Sequence, residues 1–404
     1  MAAQPAQRVR RFTESVIREM TRLADETGAV NLAQGFPDYD PPAKVLQWAQ
    51  EAIAAGENQY SVTWGDPRLR QALARKIGHT WGVELDPDRD ITVTCGATEG
   101  VAASLLAVLN PGDEVVLLEP FYENYVPVSH LAGAKTRFVR LTPPDYRIEE
   151  EALRAAVSPR TRALVVNTPT NPTGRVLSAG ELEAVRRVCL DHDLILITDE
   201  IYEHYVYDGR RHIPPATLSG MAERTISVGG LSKTLSITGW RIGYVVAPPP
   251  FSEAVRKVHD FLTVGAPAPL QVAAARALDS LPSSYYAGLA VTFQAKRDRF
   301  VKALQEAGFR CRPPEGAYYV MAEAPMLAGL SDTEAARELI RRAGIAAVPG
   351  SSFYHTQAPD PGHPVRAGRA PVLRFAFCKR DETLDEVGER LQRLAAAKGA
   401  SAAG

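Results

Sequence analysis

Lys233 is the residue of this chain best placed to act as a nucleophile. It follows a short apolar run, residues 225–228, and two glycines, Gly229 and Gly230, that permit close backbone approach. A lone lysine is as a rule a solvated surface group; one held there would be partly stripped of water, which would favour its neutral amine and suit it to Schiff-base chemistry. Ser232 precedes it and Arg241 stands eight residues beyond; a hydroxyl and a guanidinium are natural phosphate ligands. The run Gly229-Gly230-Leu231-Ser232-Lys233-Thr234 lacks the glycine directly before the lysine that a nucleotide P-loop requires, and no dinucleotide Gly-x-Gly-x-x-Gly pattern occurs. NAD and ATP are therefore poor candidates.

Three other runs end in residues of chemical interest. Residues 194–198 lead into Asp199-Glu200, with Tyr202 close behind. A carboxylate at the end of a buried strand costs desolvation unless a cation or donor meets it, so Asp199 is expected to face a protonated ring nitrogen or to cap the next helix. Residues 163–166 lead into Asn167-Thr168-Pro169-Thr170-Asn171-Pro172-Thr173-Gly174, where two prolines stiffen a loop that carries the amide of Asn171. Residues 91–95 lead into Gly96-Ala97-Thr98-Glu99-Gly100 ahead of a helical stretch. Free N–H groups at that helix start suit a phosphate, although a tight strand-to-helix turn that needs glycine for packing is, taken alone, the plainer account.

The elements that must position these residues alternate. Apolar, β-branched runs at 91–94, 114–118, 163–166, 194–198, 225–228 and 242–246 are separated by helical stretches such as 99–109 and 179–192. That alternation predicts an α/β fold with a mostly parallel sheet covered on both faces, which binds ligands beyond the carboxyl ends of its strands. After residue 283 the pattern changes to a long amphipathic helix, strand-like runs at 317–321 and 372–377, and helices at 332–343 and 381–397. We expect residues 1–44 and 283–404 to form a smaller α+β domain, with 45–282 as the large one. Residues 357–370 read as an exposed loop, and the tail after Lys398 as a frayed end.

Composition narrows the function. Lys plus Arg total 46 against 47 for Asp plus Glu, a formal net charge of −1, so there is no global electrostatic case for nucleic acid or anionic membrane. No apolar run approaches the roughly 20 residues that span a bilayer. Cys95, Cys189, Cys311 and Cys378 form no Cys-x-x-Cys pair, which argues against a zinc knuckle or disulfide framework. No metal is expected, and a reducing cytoplasm is the simplest setting.

The motifs taken together resemble the fold-type-I, pyridoxal-phosphate-dependent class I/II aminotransferases. The resemblance rests on Gly35-Phe36-Pro37-Asp38, Asn58-Gln59-Tyr60, the 167–174 loop, Asp199-Glu200-Ile201-Tyr202, Ser232-Lys233-Thr234 and Thr238-Gly239-Trp240-Arg241-Ile242-Gly243-Tyr244. It covers about residues 12–397 in the family's order. Through Gly35 to Tyr39 and Arg374-Phe375-Ala376-Phe377 it looks closest to the kynurenine, glutamine-phenylpyruvate and methionine branch. The resemblance implies a large domain with a mostly parallel seven-stranded sheet.

It also implies roles. Lys233 would bond the cofactor and move the substrate proton, Asp199 would pair with the ring nitrogen, and Tyr202 and Asn171 would bond the ring oxygen. Tyr122 would stack on the ring. Ala97, Thr98, Ser232 and Arg241 would hold the phosphate, joined by Tyr60 of a neighbouring subunit, so the pattern implies a homodimer with shared sites. Arg374 would fork onto the substrate carboxylate, with Asn171 and the Gly35 backbone assisting and Tyr125 near the substrate.

Departures bear on specificity. Gly230 stands where many relatives have a hydroxyl residue. Val264 and Gly265 replace aromatic and histidine pocket residues of the kynurenine branch, and Ile17 replaces a tryptophan. The expected reaction is ping-pong transfer of an amino group from a neutral L-amino acid to a 2-oxo acid. The alternatives are C–S β-elimination or a specialised biosynthetic reaction on the same scaffold, an aspartate-specific transferase, and last a non-catalytic cofactor-binding regulator. A regulator would carry a separate DNA-binding segment, and only about eleven residues precede Phe12.

Overall fold

The computed structural model describes residues 3–10, 12–355 and 369–402. In chain order the strands are β1 Val30–Asn31, β2 Ile91–Cys95, β3 Glu114–Glu119, β4 Lys135–Arg140, β5 Thr161–Asn167, β6 Ile195–Asp199, β7 Thr225–Gly230, β8 Ile242–Val246, β9 Arg310–Cys311, β10 Tyr319–Glu323, β11 Ile345–Ala346, β12 Val348–Pro349 and β13 Val372–Ala376. Among the described residues they form sheets of seven, four and two strands.

The seven-stranded sheet has the order β2-β8-β7-β6-β5-β3-β4, and its strands run parallel except β8. β6, β7 and β8 are buried at every position, which is why they read as continuous apolar runs. Parallel strands need a crossover of a dozen or more residues, and the stretch 231–241 between β7 and β8 is too short for one. It folds back instead through the short helix Leu231–Thr234 and a left-handed turn at Arg241, φ 57°. β4 is an edge strand of sequence Lys-Thr-Arg-Phe-Val-Arg with two exposed positions, and its polar face hides it from a search for apolar runs.

Helices cover both faces, and several start where the sequence caps them. Helix Ala179–Asp191 opens on a capping box between Ser178 and Glu181, and helix Asp332–Ala343 on one between Ser331 and Glu334, closing at left-handed Gly344. Each box satisfies donors that a helix start leaves open.

The smaller sheet, β12-β13-β10-β9, is antiparallel. It shares a core with the N-terminal segment: Ile17, Met20 and Leu32 pack in one cluster with Phe300, Phe375 and Phe377. β1 runs parallel to β11 and extends that union of chain ends. The last helix continues to Ala402, beyond the end expected at 397. Of the loop expected at 357–370, residues 357–368 lie outside the described residues. Among the described residues no helix is long and apolar enough to cross a membrane.

Candidate active site

Register brings the polar residues together. Asn167 at the end of β5 pairs with Asp199 at the end of β6, which pairs with Val228 of β7. The carboxyl ends of the strands thus form one wall, and a cavity of about 470 Å³ opens beyond it toward Tyr319 and Arg374 of the smaller sheet. Lys233, Asp199, Tyr202, Asn171, Tyr122, Tyr125, Ala97, Thr98, Ser232, Arg241, Gly35 and Arg374 all line it. Tyr60 does not: it is 90% exposed on the outer surface.

Lys233 lies one turn past β7, and its Nζ donates to the Gly35 carbonyl at 2.7 Å. Burial pushes its pKa down to about 8, with Arg241 and Arg374 adding to the effect and Cys378 and Asp199 opposing it. A minority of neutral amine, roughly a fifth at pH 7.4, is therefore present, far more than at an ordinary lysine. Only glycine fits at position 35, because a Cβ there would overlap the Tyr319 hydroxyl.

Asp199 is buried, and its carboxyl is pushed up by burial while the hydroxyl of Tyr125, donating to Oδ2 at 2.7 Å, pulls it down. A nearby cation would complete the balance. Tyr125, expected near the substrate, lines the cavity, and its hydroxyl is committed to Asp199. Asn167 braces the same strand ends: its Nδ2 donates to the Asp199 carbonyl at 2.8 Å and its Oδ1 accepts from the Asn171 N–H at 2.7 Å.

Arg374, on β13, is 1% exposed. It donates from Nη1 to Asn171 Oδ1 at 2.8 Å and from Nη2 to the Ala33 carbonyl, while its Nε has no partner. Its guanidinium lies 4.4 Å from the Tyr319 ring centre and 4.9 Å from that of Phe353. A buried, sandwiched guanidinium with open donors suits a carboxylate ligand. The sequence reading missed Tyr319, whose hydroxyl meets that of Tyr202 at 2.9 Å. The available signal was the Tyr318-Tyr319 pair opening β10, whose partner strand carries Arg374.

The last corner has groups that could hold an anion. Helix Gly96–Val108 starts at β2, and N–H groups of a first helical turn have no intrahelical acceptor. Gly96, at φ +78°, leaves room for the Arg241 guanidinium, which a Cβ would overlap. Gly243 packs its own Cα against the Gly96–Ala97 peptide. Ser232 Oγ is buried with no partner. Among the described residues no cluster of His, Cys, Asp and Glu could hold a metal ion.

Residues 27–391 match the model of the family described as aminotransferase class I and II. The chain belongs to that family. It is 44% identical over 394 residues, 96% of this chain and 98% of the other, to a probable N-succinyldiaminopimelate aminotransferase of Mycobacterium tuberculosis. It is 34% identical to the methionine aminotransferase of Escherichia coli K12, over 96% and 98% of the two chains. Among solved structures, N-succinyldiaminopimelate aminotransferase from M. tuberculosis superposes with a TM-score of 0.90 at 43% identity, covering 97% of this chain and 100% of that one. Aspartate aminotransferase of Thermus thermophilus with maleate gives 0.87 at 31%, with the same coverage.

This aminotransferase is thus a pyridoxal-5'-phosphate enzyme of fold type I, as the resemblance implied. The residues present fit that cofactor. The Ser232 hydroxyl, the open helix start and Arg241 could hold its phosphate, Lys233 its aldehyde carbon, and Asp199 its ring nitrogen.

Proposed function

We propose that the enzyme transfers the amino group of an L-amino acid with an uncharged side chain to a 2-oxo acid, both substrates using the one cavity in turn. The observation that carries this is the pairing, within one cavity, of a lysine whose pKa is lowered to about 8 with a buried arginine that keeps donors free. Ile17, Phe36 and Val101 supply apolar lining for the side chain.

Bound pyridoxal 5'-phosphate supplies a ring that accepts the electron pair left when the substrate Cα loses its proton. The protein supplies the rest. Arg374, steadied by Asn171, grips the α-carboxylate. Lys233 would take the Cα proton on Nζ, as base, and give it up to the cofactor's former aldehyde carbon, as acid, so that the amino nitrogen stays with the cofactor. Asp199, held by Tyr125, keeps a positive partner protonated. Tyr202 and Asn171 would hold the ring oxygen, Tyr122 would cover the ring face, and Ala97, Thr98, Ser232 and Arg241 would retain the phosphate.

We place Tyr60 at a neighbouring subunit's phosphate in a homodimer. Tyr60 and Phe261 are 90% and 91% exposed, and Val62, Leu262 and Val264 add apolar surface beside them. Such a patch favours burial against a second copy. Four unpaired cysteines suit a cytoplasmic setting.

A second reading has one observation in its favour. The exposed guanidinium of Arg18 lines the cavity and has no side-chain partner among the described residues, so a substrate with a distal carboxylate, such as N-succinyldiaminopimelate, would find a ligand there. A donor screen decides between the two. Methionine, glutamine, phenylalanine and kynurenine are compared with aspartate and N-succinyl-LL-diaminopimelate by kcat/KM, with ammonia and pyruvate monitored to detect β-elimination. Uncharged donors leading by tenfold or more support the first reading. A lead by the succinylated donor that Arg18→Ala abolishes replaces it with the second.

A further inference from the structure

An acidic residue lies beneath the anion corner. Glu99 sits in the first turn of helix Gly96–Val108, where its Oε2 accepts the Cys95 N–H at 3.0 Å. That bond satisfies a donor at the helix start, yet it sets a negative charge close to amides assigned above to a phosphate, which the same charge repels. The partner of Glu99 is His259, fully buried in helix Phe251–Thr263.

The imidazole faces acceptors on both sides. Its Nδ1 lies 3.1 and 3.0 Å from the two Glu99 oxygens, and its Nε2 lies 2.8 Å from the Thr63 carbonyl. A carbonyl only accepts, so Nε2 carries hydrogen. An ionised carboxylate that already accepts a backbone N–H also only accepts, so Nδ1 carries hydrogen too. A neutral imidazole has one N–H, and acceptors on both sides of this ring call for two.

We propose that His259 is held as an imidazolium whose charge cancels that of Glu99 and so preserves phosphate affinity at the helix start, while its second N–H fixes Thr63 and the segment bearing Tyr60. It is a positioning residue that acts through Glu99. Burial alone pushes its pKa down, but Glu99 and the Thr63 carbonyl outweigh burial and the net direction is up. The other groups around it are few. Asp260 follows it and adds a negative charge, and the Thr263 hydroxyl lies 3.2 Å from Nδ1. Arg256, one turn earlier, donates to Thr92 and to the carbonyls of Asp88 and Ile91. Cys95, on β2, has its thiol pushed up by burial and stays neutral.

The inference rests on the phosphate assignment of that corner, so the test separates the two. Equilibrium dialysis measures how tightly wild type, Arg241→Ala, His259→Gln and the double variant Glu99→Gln/His259→Gln retain pyridoxal 5'-phosphate, with pyridoxal, which lacks the phosphate, as the comparison ligand. We expect His259→Gln to retain the phosphate form about tenfold less well, the order one uncompensated charge produces a few ångströms away, with pyridoxal changed less than about twofold. The double variant is expected to return to within about threefold of wild type. If Arg241→Ala leaves the preference for the phosphate form intact, the corner itself is misassigned. If Arg241→Ala weakens it but His259→Gln does not, or the double variant stays weak, the role of His259 is wrong. A measurement on the unmutated holoenzyme guards against a misfolded variant: long-range proton–nitrogen correlation of its histidines at pH 7.5. Two protonated nitrogens on the ring of His259 support the proposal, and a neutral tautomer there overturns it.

Discussion

At Lys233, burial and two arginines act in the same direction, and the consequence is measurable. Its folded pKa near 8 lies below the ordinary lysine value, so between pH 8 and about 10.5 the unfolded chain holds a proton that the folded chain has released. Burying the charged form costs stability below pH 8, and that cost fades as pH rises through this window. In the cofactor-free protein, the rate of borohydride-trapped labelling by pyridoxal 5'-phosphate should rise with an apparent pKa near 8, and peptide mapping should find the label on Lys233. A label elsewhere, or a midpoint above 10, refutes the assignment. Lys233→Ala is expected to lose roughly 10²–10⁴-fold in turnover from the proton transfer alone while remaining folded. For Asp199 the informative variant is Tyr125→Phe. It removes a donor to a buried carboxylate, worth about 1.5–3 kcal/mol, so the Asp199 pKa moves up further. Activity should fall roughly 10–100-fold, with the acid limb of the kcat/KM profile displaced to higher pH. An unchanged profile would leave Tyr125 a packing residue.

The elements around the anion corner meet through glycine. Gly243 on β8 touches the Gly96–Ala97 peptide so closely that a methyl group has nowhere to go but into backbone. Gly243→Ala should destabilise the fold by about 1–3 kcal/mol and weaken cofactor retention, because the helix start must move. Gly180, in the first turn of helix Ala179–Asp191, has nothing within 4 Å of the place a methyl group would take. Gly180→Ala should be neutral or stabilising by about 0.5–1 kcal/mol. Denaturant midpoints compare the two, and equal losses would mean that the contact around Gly243 is softer than its geometry implies. Element boundaries follow the same logic of local against distant cause. The helix at Asp332–Ala343 begins and ends where the sequence places it, since Ser331, Glu334 and Gly344 are its own caps. β4 escaped notice because an edge strand buries only one side.

For the whole molecule, the separation of Tyr60 from its own cavity makes a sharp prediction. If Tyr60 serves a partner's phosphate, a Lys233→Ala subunit paired with a Tyr60→Phe subunit has one site carrying both defects and one carrying neither. Activity should return toward half that of wild type per dimer once mass measurement shows that subunits have exchanged. Verified hybrids without recovery would assign Tyr60 to its own subunit's surface.

The sequence by itself determined the α/β class, the apolar runs that lead into Asn167, Asp199 and Gly229, and the family, because strand-end residues and turn glycines are written in short segments. It also named twelve of the residues that line the cavity. Tertiary structure decided what those residues touch. Tyr125 turns to Asp199, Tyr319 links Tyr202 to Arg374, and the Glu99–His259 pair joins residues 160 positions apart. Spacing along a chain fixes which face of an element a side chain occupies, whereas its hydrogen-bond partner depends on how separate elements pack. That packing is set by burial summed over the whole core.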